Sequence, residues 1–232
     1  MNPLNFLSGS LDLSLCIDTF RYKHQFRKEH PEYFDPSGIL VFCGPQGAGK
    51  TLSAVQYVRK LAKKYSNMIL VTNVQIKGLD GITVYPYTGI QDFSKYHNGF
   101  AGVVYLIDEI HIEFNSLESK NIDPSVITEI AQQRKQRKHI VGTSQVFGRI
   151  AKPFREQFKY VVLCRCLFGC LQYNTLIDGE RAIVDDSGHL TADTVKRFFW
   201  WHTPALYDSY DTYAKIIRTK ERRFGYGYDR DN

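Results

Sequence analysis

Eight consecutive residues of this chain place three glycines ahead of a lysine and a threonine. They follow the pattern G-x-x-x-x-G-K-[ST] and are Gly44, Pro45, Gln46, Gly47, Ala48, Gly49, Lys50 and Thr51. Glycines let the backbone curl with its amides pointing inward, and the lysine adds a positive charge beside them. The threonine hydroxyl offers an oxygen ligand for Mg2+. The stretch therefore predicts a Walker A loop, or P-loop, that binds the phosphates of ATP together with Mg2+.

The segments on either side of the loop supply the context that this motif requires. The apolar run 38–43 reads as a short buried strand. Residues 52–64 have a helical period and end in a basic turn, which complements the negative end of a helix dipole. A helix N-terminus at the loop would add its positive partial charge at the phosphates. A chance glycine-rich turn is the alternative, and the strand-loop-helix order argues against it.

A second apolar run, residues 103–107, ends in the paired carboxylates Asp108 and Glu109, which is the Walker B pattern. Asp108 at the end of such a strand is expected to hold Mg2+ beside Thr51. Glu109 is placed to polarise the water that attacks the γ-phosphate, although a simple surface acid is the alternative. A further strand at 67–74 lies between the two motifs. These features indicate an α/β fold of the RecA-like P-loop division, with a mainly parallel sheet flanked by helices.

A polar strand end follows in the segment 123–145. Asp123 reads as the N-cap of a helix that ends in the basic turn 134–138, and a strand at 139–145 comes next. Its last residues, Thr143, Ser144 and Gln145, are expected at the same sheet edge as the P-loop, where ligands of α/β proteins gather. Either Ser144 or Gln145 is then a candidate sensor of the γ-phosphate.

The basic turn has two readings. Its cations complement a helix C-terminus in the first reading. In the second, Arg134 or Arg137 is an arginine finger that reaches the nucleotide of the next subunit. Arg149 and Arg155 are further candidates for the same role, and the sequence does not discriminate among the four.

Size and composition bound the class of protein. The 232 residues suit one α/β domain with small additions. The net charge of +6 favours an anionic partner, although ordinary surface lysines are an equal explanation. Five cysteines and no signal peptide argue for a reducing compartment and free thiols. No apolar run approaches the roughly 20 residues of a membrane span, so no direct membrane span is expected.

Three regions are expected along the chain. Residues 1–36 form an N-terminal arm, 37–190 the ATPase core with an edge hairpin, and 191–232 a helical, aromatic and basic tail. The arm either touches a neighbouring subunit or nucleic acid, or is a solvated helix at the edge of the domain. The edge hairpin is predicted to pair residues 171–177 with residues 181–184 through an Asp178-Gly179 turn. The tail is expected to pack onto its own domain, with base stacking as the alternative.

The motifs together resemble the FtsK–HerA superfamily of DNA-pumping ATPases. The resemblance is carried by residues 131–134 and by the strand 139–145. It is closer still to the zonular occludens toxin-like branch, which contains filamentous-phage assembly ATPases and virus packaging ATPases. The stretches that carry it are GPQGAGKT (44–51), ILVTNV (69–74), VVYLIDE (103–109) and GTSQVFGRIAKPFREQFKYVV (142–162). The likeness spans residues 38–163.

The resemblance implies roles for individual residues. It gives Lys50 and Thr51 the phosphates and Mg2+, Asp108 the metal and Glu109 the role of base. Gln145 becomes the sensor, with Ser144 competing because this strand ends Thr-Ser-Gln where the family has Thr-Gln. Arg134 is the expected trans finger, with Arg137 next.

The resemblance also implies a function. It is an ATP-hydrolysing motor that packages viral or phage DNA as a homo-oligomeric ring, a pentamer or hexamer. Double-stranded DNA is the expected partner, held through its backbone, and a capsid portal or vertex protein is another. The host cytoplasm, with association to the virion, is the expected location. Phage-assembly members carry a transmembrane helix after the ATPase domain, and this sequence shows none. An extrusion ATPase docked at a membrane by a partner, or a nucleotide-regulated assembly protein without turnover, are the alternatives.

Overall fold

A computed structural model describes residues 13–114, 124–184 and 190–210, and its main feature is an eight-stranded sheet. Its strands are β1 (Gly38–Cys43), β2 (Ile69–Thr72), β3 (Thr83–Pro86), β4 (Val103–Ile107), β5 (Lys138–Ser144), β6 (Phe158–Leu167), β7 (Leu171–Asp178) and β10 (Thr194–Trp201). A separate antiparallel pair consists of β8 (Ile183–Val184) and β9 (Leu190–Thr191). The helices are α1 (Leu13–Glu29), α2 (Lys50–Lys64), α3 (Asp92–Lys95), α4 (Pro124–Ala131), α5 (Lys152–Arg155) and α6 (Pro204–Tyr207).

The order of strands places the predicted motifs side by side. Across the sheet it is β10-β7-β6-β1-β5-β4-β2-β3, and the six strands from β6 to β3 are parallel. β7 and β10 extend this sheet in the antiparallel sense. The predicted fold class, a mainly parallel P-loop sheet with a C-terminal antiparallel addition, is confirmed. Because β5 lies between β1 and β4, their carboxyl ends share one edge of the sheet.

Two apolar layers cover the two faces of the sheet. Leu40 and Phe42 of β1 face one layer together with the buried side of α2, whereas Ile39 and Val41 face the other. This alternation follows from the two-residue period of a strand. All five residues of β4 are buried. Both faces of the central strands are therefore closed to water, as expected for parallel strands that read as continuous apolar runs, whereas the edge strand β3 is exposed.

The predicted edge hairpin pairs differently in the structure. β7 pairs with β6 and with β10, and residues 183–184 pair with β9 instead. The turn that reverses the chain between β6 and β7 contains Phe168 and Gly169, at φ values of 53° and 71°. Two successive positive φ values suit the right-handed twist of a hairpin, but phenylalanine rarely adopts one. The prediction of the Asp178-Gly179 hairpin is therefore wrong, and β10 of the presumed tail belongs to the main sheet.

The basic turn after α4 differs from its prediction at Lys138. The expected N-cap of α4, Asp123, lies outside the described residues. Lys138 is the first residue of β5, is 2% exposed and forms a 2.7 Å ion pair with Glu129 of α4. It also donates to the carbonyl of Phe93. Lys138 is thus a structural cation that joins α4 and α3 to the sheet, and it is not part of an exposed basic turn.

The C-terminal end of the N-terminal helix α1 contacts the domain. None of its residues is buried. Phe26 meets the ring of Tyr33, which stacks on Phe100 at 4.7 Å, and Arg27 pairs with Asp35 at 3.1 Å.

Within the described ranges, no helix has the length and apolar character needed to cross a lipid bilayer.

A buried histidine joins three elements at the amino ends of the strands. His139 of β5 is 4% exposed, with Nδ1 2.8 Å from the carbonyl of Gly38 and Nε2 3.0 Å from the hydroxyl of Tyr57. A carbonyl only accepts, so the neutral tautomer carries its hydrogen on Nδ1. The pKa of His139 is lowered to about 4, chiefly by burial; the hydrogen bond to the Gly38 carbonyl opposes this shift, and the charge of Lys159 adds to it.

This histidine predicts a loss of stability in mild acid. A folded-state pKa below the unfolded value of 6.5 means that the unfolded chain binds the proton first, so the free energy of unfolding falls as pH drops from 6.5 through 4. Over this pH range, the titration of His139 lowers the free energy of unfolding by about 3 kcal/mol. His139→Asn keeps a donor for the Gly38 carbonyl and removes the titration. We expect a flatter stability profile for this variant between pH 7 and 4 in urea unfolding, and an unchanged slope would contradict the assignment.

Candidate nucleotide site

The loop between β1 and α2 has the backbone of a phosphate cradle. Gly47 and Gly49 both adopt a φ of 78°, a conformation that suits glycine and lets successive amides point to one side. α2 begins directly after the loop, at Lys50, and the first amides of a helix have no intrahelical partner. The Lys50 ammonium lies 3.1 Å from the carbonyl of Pro45, over the same loop. The arrangement concentrates positive charge where a phosphate would bind.

Three strand ends and the start of α2 meet at Asp108. The Thr51 hydroxyl donates to Oδ1 of Asp108 at 2.9 Å, and the hydroxyl of Thr143 donates to the same oxygen at 2.6 Å. The side chain of Asn73, just after β2, binds the backbone of Asp108. It accepts from the Asp108 amide at 2.8 Å and donates to the Asp108 carbonyl at 3.1 Å. The structure thus brings Thr51 and Asp108 together, as the sequence predicts.

The donor set at this point fits Mg2+. A threonine hydroxyl and a carboxylate oxygen, 2.9 Å apart, are the hard oxygen ligands that this ion prefers. Thr51 would hold the ion directly and Asp108 would hold it directly or through water. Bound there, Mg2+ would neutralise charge on the phosphate oxygens.

Glu109 is held beside this carboxylate by an unusual backbone. Its φ of 55° is in the left-handed region, which costs a residue other than glycine about 1–2 kcal/mol. Its amide donates to the Thr143 hydroxyl at 3.0 Å. Oε2 is buried without a hydrogen bond, although Nδ1 of His111 lies 3.1 Å away. A carboxylate oxygen with unused acceptor capacity is what a general base needs.

The two candidate sensors occupy different positions. Gln145 is exposed, and its Nε2 lies 3.4 Å from Oε1 of Glu109, so it faces the site. Ser144 is fully buried, and its hydroxyl donates to the carbonyl of Val146 at 3.0 Å and lies 3.4 Å from Nδ1 of His111. The geometry favours Gln145 over Ser144 for direct contact with a phosphate.

The four arginines divide between the two ends of the strands. Arg134 and Arg137 precede β5 and lie at its amino end, away from the P-loop of their own chain. Arg137 is engaged internally, because it donates to the carbonyl of Phe34 at 2.8 Å and lies over the ring of Tyr33 at 4.8 Å. Arg134 is exposed. In contrast, Arg149 follows β5 at the nucleotide edge. Arg155 is the last residue of α5, before β6, and its buried Nε has no hydrogen-bond partner.

Sequence reasoning missed two side chains at the site, His111 and Gln172. Burial lowers the pKa of His111, Glu109 opposes this effect, and the charge of Arg149 adds to it. His111 therefore faces Glu109 as a neutral ring near pH 7. Gln172 of β7 donates to the carbonyl of Ala48 at 2.9 Å, across 124 residues of sequence. No local pattern signals either contact.

Comparisons with known proteins agree with this geometry at the level of the fold. The chain matches no known family model and no curated protein sequence. The N-terminal domain of zonular occludens toxin from Neisseria meningitidis aligns with a TM-score of 0.51 and 15% identity, over 76% of this chain and 100% of that domain. Genome packaging NTPase B204 from Sulfolobus turreted icosahedral virus 2, in complex with ATP-gammaS, has a TM-score of 0.48 and 13% identity, over 67% and 96%. DNA-packaging ATPase B204 from Sulfolobus turreted icosahedral virus has a TM-score of 0.48 and 14% identity, over 70% and 100%.

Loop and sheet together define the fold of the P-loop NTPase class. The chain shares this fold with the zonular occludens toxin domain, at 15% identity. The resemblance predicted from the sequence is thereby confirmed for the fold. The roles of the individual residues stay predictions.

The shared contacts of Thr143 give a prediction about the site. Thr143→Val leaves the amide of Glu109 without its acceptor and removes one donor to Asp108. We expect the free energy of unfolding to fall by about 1–3 kcal/mol in chemical denaturation. Thr143→Ser is the matched control, because it keeps the hydroxyl and loses only one methyl group, which costs about 1 kcal/mol. Equal stability of the two variants would show that these hydrogen bonds do not hold the site.

Proposed function

We propose that this protein is an ATP-hydrolysing motor that moves double-stranded DNA, acting as a ring of identical subunits in viral or phage genome packaging. The observation that carries the ATPase part is the convergence on Asp108. Its carboxylate is bonded to the P-loop residue Thr51 at 2.9 Å, and Glu109 follows it directly. The P-loop, the acid that supports the metal and the candidate base therefore form one site.

The chemistry proposed for this site is in-line hydrolysis. The oxygen of a water molecule attacks the γ-phosphorus of ATP, and the bond from that phosphorus to the β,γ-bridging oxygen breaks. Glu109 accepts the proton of the water, and ADP and inorganic phosphate are the products. Lys50 lies where it can neutralise charge that develops on the β- and γ-phosphates. Gln145, beside Glu109, is the residue we assign to orienting the water.

A basic cavity supports the proposed contact with DNA. It has a volume of about 720 Å³, lies at the amino ends of the strands and is lined by one acid, Asp35, against six cations. These cations are Arg27, Lys64, Arg134, Lys135, Arg137 and Lys159. A surface of this charge suits a phosphate backbone, and binding through it would be salt-sensitive and nearly independent of sequence.

The position of Arg134 supports the proposed ring. The residue is exposed and lies at the end of β5 opposite the P-loop of its own chain. As an arginine finger it could therefore serve only the nucleotide of a neighbouring subunit. We propose a head-to-tail pentamer or hexamer, with a capsid portal or vertex protein as its docking partner. Arg137 is the second choice because it already binds the N-terminal segment.

An extrusion or morphogenesis ATPase is the second candidate function. The fold shared with the zonular occludens toxin domain favours it, and a partner would dock such a protein at a membrane. Co-fractionation with membranes, as opposed to capsids, separates the two functions. A nucleotide-regulated assembly protein with negligible turnover is the remaining alternative, which a measurement of ATP hydrolysis tests.

We predict that two substitutions separate binding from hydrolysis. Lys50→Ala should abolish tight ATP binding and turnover together, because it removes the cation over the loop. Glu109→Gln should keep ATP binding and lower turnover by about 100-fold or more, because the base is lost. For the wild-type protein, double-stranded DNA should raise the rate. Phosphate release and equilibrium binding of ATP measure these outcomes, and unchanged turnover in both variants would refute the site.

The trans finger predicts that two inactive variants restore each other. Arg134→Ala keeps an intact nucleotide site and loses the finger, whereas Glu109→Gln loses the base and keeps the finger. In an equal mixture, one interface in four pairs an intact site with an intact finger, so hydrolysis should recover to about a quarter of the wild-type rate.

Lys50→Ala mixed with Glu109→Gln is the matched control for this experiment. Both lesions lie in the same nucleotide site, so this mixture should stay inactive. Full activity of Arg134→Ala alone would exclude Arg134 as the finger.

A further inference from the structure

A fully buried amide reaches the P-loop from the antiparallel edge of the sheet. Gln172 lies on β7, which is separated from β1 by β6. Its side chain is 0% exposed, and Nε2 lies 2.9 Å from the carbonyl oxygen of Ala48. A buried amide hydrogen bonded to a backbone carbonyl fixes the orientation of that carbonyl.

The bonded carbonyl belongs to the peptide that presents the next amide to a phosphate. In a planar trans peptide, the carbonyl and the following N–H point in opposite directions. The bond from Gln172 to Ala48 therefore turns the N–H of Gly49 away from β7 and into the loop. Gly49 has a φ of 78°, and a Cβ at this position would overlap the Gln172 amide. The position of the Gln172 amide therefore requires a glycine at residue 49.

Both the nitrogen and the oxygen of the Gln172 side-chain amide have hydrogen-bond partners. Its nitrogen also donates to Oδ1 of Asn174 at 2.8 Å, and Asn174 in turn donates to the hydroxyl of Ser53 in α2 at 3.2 Å. Its oxygen lies 3.1 Å from Nε2 of His202. A flipped amide would set its oxygen against two acceptors, Ala48 O and Asn174 Oδ1. The network consequently leaves one orientation that satisfies every group.

We propose that Gln172 is a positioning residue of the nucleotide site, which holds the Ala48–Gly49 peptide in its phosphate-binding orientation. Asn174 and His202 fix the amide that does this. The proposal rests on the proposed binding of ATP at the P-loop. It makes the antiparallel strand β7 part of the nucleotide site, although β7 bears no recognised motif.

The test is the affinity for two ligands that share a diphosphate, ADP and inorganic pyrophosphate, measured by calorimetry. Gln172→Met replaces the amide with an apolar chain of similar length. We expect both dissociation constants to rise about tenfold, and by the same factor, because the lost contact concerns the phosphates alone. His202→Phe removes the bond to the amide oxygen, together with the contact of Nδ1 with the Tyr207 hydroxyl, and leaves the bond from Gln172 to Ala48 in place. It should weaken both ligands by about two- to threefold and serves if Gln172→Met does not fold.

Asn98→Ala is the matched control. Asn98 donates its side-chain amide to the backbone carbonyls of Asn67 and Gly102, both at 2.9 Å, far from the P-loop. Its loss should lower the melting temperature and leave both affinities unchanged. A Gln172→Met variant that melts earlier but binds ADP and pyrophosphate as tightly as wild type would overturn the proposal. Wild-type protein that binds neither ligand would overturn the proposed function and this inference with it.

Discussion

The structure depends on one aspartate, Asp108, at which four segments of the chain meet. Asp108 accepts from Thr51 at the start of α2 and from Thr143 at the end of β5, and Asn73 after β2 holds its backbone. These contacts need β1, β5, β4 and β2 to end at one edge in this order. The strand order supplies that edge, and the apolar layers on both faces keep the strands in register. The site is thus a direct consequence of the parallel sheet.

Local sequence signals were sufficient to predict the parallel part of the sheet. The continuous apolar runs of β1 and β4 identified the buried strands, and the P-loop glycines identified the turn into α2. These features depend on residues close in sequence, where side-chain type limits the backbone. Thr51 and Asp108 could be paired in advance, since both motifs have a known place on a strand end. The structure brings them within hydrogen-bonding distance.

Other features were not accessible from sequence, for separate physical reasons. The β6–β7 turn places Phe168 at a positive φ, which propensity assigns to glycine or asparagine, so the hairpin was predicted one strand too late. Lys138 was assigned to the basic turn that ends the helix, because only the fold reveals Glu129 beside it. Gln172 contacts Ala48 across 124 residues of sequence, and no local sequence pattern predicts which residues so far apart will be in contact. Long-range polar contacts of residues outside the recognised motifs were the part that the sequence could not supply.

The left-handed backbone of Glu109 has a consequence for how this protein balances activity against robustness. A glycine at residue 109 would adopt the same φ of 55° without steric cost, and the chain would gain stability from the exchange. The presence of an acid there means that the domain tolerates a local defect in order to keep a carboxylate at this spot. Engineering for heat resistance guided by backbone energy alone would remove that acid early, and with it the carboxylate that we propose as the general base.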